Sequence, residues 1–269
     1  LANTSSETDR LSSRFDAWRA AGRRALIPYV TAGYPRPADT VELLHGLVDA
    51  GADVIELGVP FSDPLADGPT IQRSTQAALE AGVTLEWTLD ALARFRRERD
   101  ASVVVFSYLN PVLAYGIERF LADAVAAGAD GFLLTDLPYG CDPEFEALVE
   151  ASPIPLIRLL APTTPIDRAV AIARRARGFL YYISRTGVTG ATRDLRADLA
   201  TEVAALRGAT DVPIAVGFGI SGPEQAAWVA QVADGVVVGS ALIEALDRGG
   251  IPEATSFLRT LREAIDRVR

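Results

Sequence analysis

Short apolar runs alternate along this chain with longer stretches whose apolar positions recur at helical spacing, and the alternation continues without a linker or a change in composition. The short runs predict strands at Ala25 to Val30, Val54 to Gly58, Val103 to Ser107, Gly131 to Leu134, Pro155 to Leu159, Phe179 to Ile183, Ile214 to Gly217 and Val236 to Val238. Helical stretches follow most of them, among others Pro37 to Ala50, Gly116 to Ala127, Ile166 to Arg175, Gly222 to Val232 and Pro252 to Val268. An amphipathic helix from Arg10 to Ala21 precedes the first strand. The second unit carries an additional helix, Ile71 to Ala81 and then Leu85 to Arg97, broken at Gly82. The turns Asp49 to Asp53, Ala126 to Asp130 and Val232 to Gly235 each lead from a helix end into a strand through Gly or Asp. Strand followed by helix, eight times over, predicts an α/β fold: one closed parallel (β/α)8 barrel over residues 1–269, with the extra N-terminal helix and the extra helix after strand two. Barrels of about 250 residues commonly form one domain.

Composition narrows the partners. The net charge is −9 and the basic residues are scattered, which argues against a nucleic-acid groove or an anionic membrane surface. No apolar run reaches the about 20 residues needed to span a bilayer, and the start Glu7-Thr8-Asp9-Arg10 lacks a signal-peptide pattern, so a cytoplasmic location is expected. The single cysteine, Cys141, cannot form an internal disulfide and has no His near it in sequence to activate it. Lysine is absent, which excludes a Schiff-base aldolase or a pyridoxal-phosphate enzyme built on this chain's own lysine. One histidine, His45, sits in an apolar helical pattern and reads as structural; with one cysteine it cannot supply a typical zinc shell, and it leaves little freedom for a serine-hydrolase triad. Carboxylates, hydroxyls, aromatic rings and backbone amides remain for chemistry.

The stretch Val54 to Gln72 places Glu56 inside an apolar strand and Asp67 in the following loop. An unpaired carboxylate is costly there unless its pKa rises or a partner appears. Pro60, Pro64 and Pro69 stiffen the loop, and Gly58 and Gly68 are expected to permit tight turns. Two acids in unlike surroundings can hold different protonation states, one raised by burial to donate a proton and one kept ionised by hydrogen bonds to face a developing cation. A buried ion pair plus a capping Asp is the plain structural alternative. Asp63, between Ser62 and Pro64, reads as a turn residue or a partner contact.

In such barrels the site lies at the C-terminal ends of the strands, which here also brings Tyr108, Asp136, Arg185 to Gly190, Gly217 to Gly219 and Gly239 to Ser240 to one face. Ser184 to Thr192, rich in Gly and hydroxyls, suits either a closing lid or a plain loop. At Gly239-Ser240 a strand passes into a helix, a junction that aims free N–H groups at an anion such as phosphate or is simply an N-cap. Gly217, Phe218 and Gly219 are placed to form the other wall of a phosphate site. Gly217 to Gly222 also satisfies G-x-G-x-x-G, the mark of a hydride-transfer enzyme, but it falls in the seventh unit and Asp234 precedes the next strand instead of following it. Tyr29, Phe106, Tyr108, Tyr181 and Phe218 near strand ends suit a flat apolar ligand or ordinary core.

Together with Ile27 to Pro35, Ser184 to Gly190, Gly217 to Ser221 and Gly239 to Ala241, the Glu56 to Gln72 segment resembles the tryptophan synthase alpha subunit family over nearly the whole chain. The resemblance implies a TIM barrel that cleaves indole-3-glycerol phosphate to indole and glyceraldehyde 3-phosphate by a retro-aldol reaction, with no cofactor. It implies Glu56 as the acid/base acting on indole C3 and the side-chain hydroxyl, and Asp67 as the partner of the indole N–H. Gly190, Phe218, Gly219, Gly239 and Ser240 would bind phosphate, Thr189 would close toward Asp67, and Tyr29, Phe106, Leu133, Tyr181 and Phe218 would surround the indole, with Tyr108 beside them. A pyridoxal-phosphate beta subunit in an alpha2beta2 assembly is implied as partner, meeting Pro60, Asp63, Asn110 and Pro138. Asp136 to Cys141 departs from the family pattern. A stand-alone lyase feeding another pathway, or a non-catalytic activator of a beta subunit, are the alternatives.

Overall fold

Eight strands and the helices between them are laid out in a computed structural model that describes residues 9–183, 193–217 and 219–268. In chain order they are α1 (Arg10–Ala20), β1 (Ala25–Thr31), α2 (Thr40–Asp49), β2 (Val54–Gly58), α3 (Pro69–Glu80), α4 (Leu85–Arg96), β3 (Ser102–Ser107), α5 (Leu109–Tyr115), α6 (Ile117–Ala127) and β4 (Gly131–Leu134). There follow α7 (Pro143–Glu150), β5 (Arg158–Leu160), α8 (Ile166–Ala173), β6 (Leu180–Ile183), α9 (Arg193–Arg207), β7 (Ile214–Gly217), α10 (Pro223–Val232), β8 (Gly235–Val238) and α11 (Ser240–Asp266), the last kinked at Gly249 and Gly250. All strand pairs are parallel, in the order β4-β3-β2-β1-β8-β7-β6-β5. The ring closes between β4 and the approach to β5, where the Phe132 N–H donates to the Pro155 carbonyl at 3.0 Å and the Ile157 N–H to the Phe132 carbonyl at 2.8 Å. The barrel, its leading helix and the additional helix after β2 are therefore as expected.

Two expectations shift. The fifth strand begins at Arg158 instead of Pro155, because Pro155 has no N–H to give to a ladder and joins β4 only through its carbonyl. Three further helices, α5, α7 and α9, are absent from the sequence reading. The start of α5 is held from a distance, the Asp136 carboxylate accepting from the Leu109 N–H at 2.7 Å. The signal for α7 is local and was legible: Asp142 accepts from the N–H groups of Glu144 and Phe145, with Pro143 at the first helical position.

Strand alternation sorts the core into two layers. Leu26 and Val30 of β1, Ile55 and Leu57 of β2, and Val103 and Val105 of β3 pack outward against helices. Ile27, Val54, Val104, Leu133 and Val237 point into the barrel. Leu11 and Phe15 of α1 join the inner layer, with the Phe15 ring 5.3 Å from that of Phe179, so α1 stoppers the end of the barrel where the strands start.

The three turns singled out in the sequence share one device at that end. Asp53 accepts from the Leu26 N–H at 2.9 Å, Asp130 from the Val103 N–H at 2.7 Å and Asp234 from the Ile214 N–H at 3.0 Å. Each carboxylate thus ties the start of its own strand to the neighbouring one. Arginines neutralise them: Arg23 and Arg262 at Asp53, Arg10 and Arg96 at Asp130, Arg19 and Arg207 at Asp234. Burial pushes the Asp53 and Asp130 carboxyls up, against the pull of these cations and backbone donors.

Removing the stopper should be expensive. Phe15→Ala is expected to cost about 3 to 5 kcal/mol of unfolding free energy in a urea titration, as for other buried aromatics; a loss under about 1 kcal/mol would show that α1 does not close the core.

Candidate active site

The alternation that turns Ile55 and Leu57 outward turns Glu56 inward, in register with Tyr29 on β1 and Val104 on β3. Glu56 is 1% exposed, and neither carboxyl oxygen has a hydrogen-bond partner. Burial alone raises its pKa to about 8. The ion pair held open as an alternative is therefore not formed: Glu56 lines a cavity of about 600 Å³, and burial without a partner favours its neutral form at pH 7.

Asp67 lines the same cavity. Its loop is short of freedom for reasons partly other than those expected. Neither Gly58 nor Gly68 has a positive φ. Gly58 is needed for space, since a Cβ there would overlap the Tyr29 ring and hydroxyl, and Gly68 starts α3 ahead of Pro69. The loop is held by contacts instead: the Tyr108 hydroxyl donates to the Asp67 carboxylate at 3.0 Å and accepts from the Ala66 N–H at 2.9 Å, and the Gln72 amide donates to the Asp67 carbonyl at 2.8 Å. Asp63 makes a turn, its carbonyl accepting from the Leu65 N–H at 2.9 Å. Burial raises the Asp67 pKa to about 6 while the Tyr108 hydrogen bond lowers it, so desolvation outweighs the hydrogen bond that was expected to keep it ionised; the group is nevertheless an anion at pH 7.

Aromatic rings make the walls. Tyr29, Phe106 and Tyr181 line the cavity, with Tyr29 and Phe106 edge to face at 5.1 Å. The Tyr181 hydroxyl is pushed well up, by burial first and then by the Glu56 and Asp67 carboxylates. Gly217 is explained by this ring, because a Cβ there would overlap the Tyr181 hydroxyl. The G-x-G-x-x-G motif thus serves a barrel wall, with Gly222 capping α10, and no doubly wound sheet surrounds it. Tyr108 touches Asp67 by its hydroxyl and is not part of the lining; Leu133 is fully buried in the inner layer and is not on the lining either.

Next to β1 in the ring, β8 ends at Val238 and α11 begins at Ser240, with Gly239, Ser240 and Ala241 all on the cavity wall and no side chain capping the helix. Gly219, at φ 77°, with Ile220 and Ser221, follows the neighbouring strand β7 and lines the same cavity. Uncapped N–H groups and the positive end of a helix favour an anion. Thr189, Gly190 and Phe218, and with them the Ser184 to Thr192 segment, lie outside the described residues. The sequence reading missed Ile71, Thr135, Leu159, Ile183 and Glu244, which also face the cavity; being ordinary residues on different elements, they carry no local motif.

Other candidates fall elsewhere. His45 packs on Phe95 at 5.2 Å and accepts from Arg99 at 3.2 Å on the outer face of α2. Cys141 is exposed. Of the expected partner contacts, Asp63, Asn110 and Pro138 are exposed and Pro60 is buried. Among the described residues no group of three or more His, Cys, Asp or Glu is placed to hold a metal ion, and no helix is long and apolar enough to cross a membrane.

Over nearly its whole length the chain is similar to known proteins. The chain is 48% identical over 260 residues to the tryptophan synthase alpha chain of Geobacter sulfurreducens, covering 95% of this chain and 98% of that one. It is 47% identical over 265 residues to the alpha chain of Chloroflexus aggregans, covering 97% and 99%. The crystal structure of tryptophan synthase subunit alpha from Legionella pneumophila superposes with a TM-score of 0.89 at 37% identity, covering 97% of this chain and all of that one (100%). A chain of Mycobacterium tuberculosis tryptophan synthase does so with a TM-score of 0.88 at 40% identity, covering 96% and 99%. With residues 15–266 matching the family model described as tryptophan synthase alpha chain, the chain belongs to the tryptophan synthase alpha chain family.

Proposed function

We infer that this chain cleaves indole-3-glycerol phosphate to indole and glyceraldehyde 3-phosphate as the alpha subunit of a tryptophan synthase, in the cytoplasm, with a beta subunit as partner. The observation that carries the reading is the pair of acids in unlike surroundings on one cavity: Glu56 buried and unpartnered, Asp67 held by the Tyr108 hydroxyl.

The chemistry follows from those states. Glu56 gives its proton to indole C3, which makes the ring an indoleninium cation, and Asp67 stabilises that cation at the ring N–H. The bond between C3 and the side chain then breaks, its electrons returning to the ring. The side-chain hydroxyl becomes the aldehyde of glyceraldehyde 3-phosphate as its proton passes to the Glu56 carboxylate, so the acid is restored and no net proton is consumed. Desolvation serves both halves: it keeps Glu56 protonated for the first and makes its anion a strong base for the second. Tyr29, Phe106 and Tyr181 hold the flat ring between the acids, and the start of α11 with Gly219, Gly239 and Ser240 holds the phosphate. Thr189, Gly190 and Phe218 belong to the same proposal as lid and phosphate residues, and Leu133 as support behind the ring.

The partner has a surface to meet. Leu65, in the loop that carries Asp67, is 94% exposed, and Leu113 on α5 is half exposed; both lie in segments that follow the C-terminal ends of neighbouring strands, β2 and β3. Large apolar side chains in solvent beside an active site favour a protein partner there.

Indole release from indole-3-glycerol phosphate, measured with and without an added beta subunit, is the direct test; absence of release in both would end the reading. Glu56→Gln is expected to lower kcat by about 10² to 10⁴, and Asp67→Asn by about 10² or more, with circular dichroism unchanged. Activity within about twofold of the parent would remove either residue from its role. The pH profile of kcat/KM should rise through about pH 6 as Asp67 ionises and fall through about pH 8 as Glu56 loses its proton. Tyr108→Phe removes a hydrogen bond to the Asp67 anion and should move the acid limb to higher pH, leaving the alkaline limb in place.

The same acid sets a stability signature. Since the folded state keeps the Glu56 proton to about pH 8 while an unfolded Glu loses it near its ordinary value, folding stability falls as pH rises between the two. Glu56→Gln should therefore raise the thermal midpoint more at pH 8 than at pH 5. An equal effect at both would mean that Glu56 is not held neutral.

A further inference from the structure

One acidic side chain on the cavity has no part in the mechanism above. Glu244 lies on α11 one turn beyond Ser240, so the two share a helix face, and both line the cavity. A turn of helix is about 5.4 Å, which puts the Glu244 carboxylate within reach of any anion seated at the start of α11. Glu244 is exposed at the rim but does not swing free: the hydroxyl of Thr70, a buried residue in the first turn of α3, donates to it at 3.2 Å. That donor is neutral. The nearby cation of α3, Arg73, is taken up by Asp247, one turn further along α11, at 3.6 Å. A fixed negative charge thus stands beside the positive helix end on which the phosphate reading rests.

We propose that Glu244, held in place by Thr70, is a specificity-determining residue that weakens the hold on the substrate's phosphate by direct charge repulsion. The proposal rests on α11 as the phosphate end of the cavity. Its physical sense lies in what phosphate binding can and cannot do. Substrate and glyceraldehyde 3-phosphate carry the same phosphate, so a grip on it stabilises substrate, transition state and product alike and does nothing for the bond-breaking step. A helix start with several free N–H groups would hold a dianion and its product firmly. A carboxylate at the rim offsets part of that grip and lets the product leave. Thr70 matters because an untethered Glu244 would turn into water, where its charge is screened.

The sign of the effect separates this from a structural role. Loss of an ordinary binding contact raises KM, whereas here removing a polar contact should lower it. The experiment is calorimetric titration of the full chain with inorganic phosphate, alongside KM for indole-3-glycerol phosphate, in the parent, Glu244→Gln and Thr70→Val. Glu244→Gln keeps the shape and the hydrogen bond and removes only the charge; phosphate should bind about three- to tenfold tighter, and KM should fall with it. Thr70→Val should move both in the same direction by a smaller factor. Phosphate affinity in Glu244→Gln unchanged within twofold, or weaker, overturns the proposal, as does a parent chain that binds no phosphate. Should Thr70→Val fail to fold, the exposed and isosteric Glu244→Gln decides the matter alone. A parent that binds phosphate but releases no indole would defeat the functional reading while leaving the titration to judge Glu244.

Discussion

Everything in this molecule is arranged around a closed ring of eight parallel strands whose inside must be filled by the side chains of alternate residues. At the end where strands start, filling is done by α1 with Leu11 and Phe15, and three Asp carboxylates hold neighbouring strands together through backbone N–H groups. At the other end the ring is left unfilled, and the inward positions there, Tyr29, Glu56, Phe106 and Tyr181, become walls instead of core. The same alternation therefore produces stability at one end and a site at the other. The cost of leaving a carboxyl without a partner in that wall falls on the rest of the core.

The contrast between the two acids is environmental. Both are carboxyls, and burial raises both, but Glu56 lies on a central strand with nothing to bond, while Asp67 lies on a loop with the Tyr108 hydroxyl against it. The gap between about 8 and about 6 gives one acid its proton and the other its charge at neutral pH. The Tyr108 hydroxyl has a second duty, accepting from the Ala66 N–H, so the group that tunes Asp67 also fixes the loop that carries it.

Charges elsewhere follow a different rule. Asp53, Asp130 and Asp234 are buried too, yet each has arginines and a backbone N–H. These buried carboxylates are compensated, whereas Glu56 has no partner. His45 and Cys141, the residues that most often draw attention as reactive, lie outside the cavity.

The amino-acid sequence by itself determined the barrel, because apolar period and turn residues are local properties that repeat with each unit, and it determined Glu56, because a lone acid in an apolar strand conflicts with its surroundings wherever the strand is placed. It also carried the Gly-Ser junction at α11. What only the tertiary structure decided were the facts that join residues distant in the chain. Gly58 and Gly217 are there to admit the Tyr29 and Tyr181 rings and not for backbone freedom; α5 starts where Asp136 reaches it; Tyr108 grips Asp67; Glu244 meets Thr70 across α3 and α11. Such partners are set by how the ring closes, and closure is a property of all eight strands together, which no local spacing records.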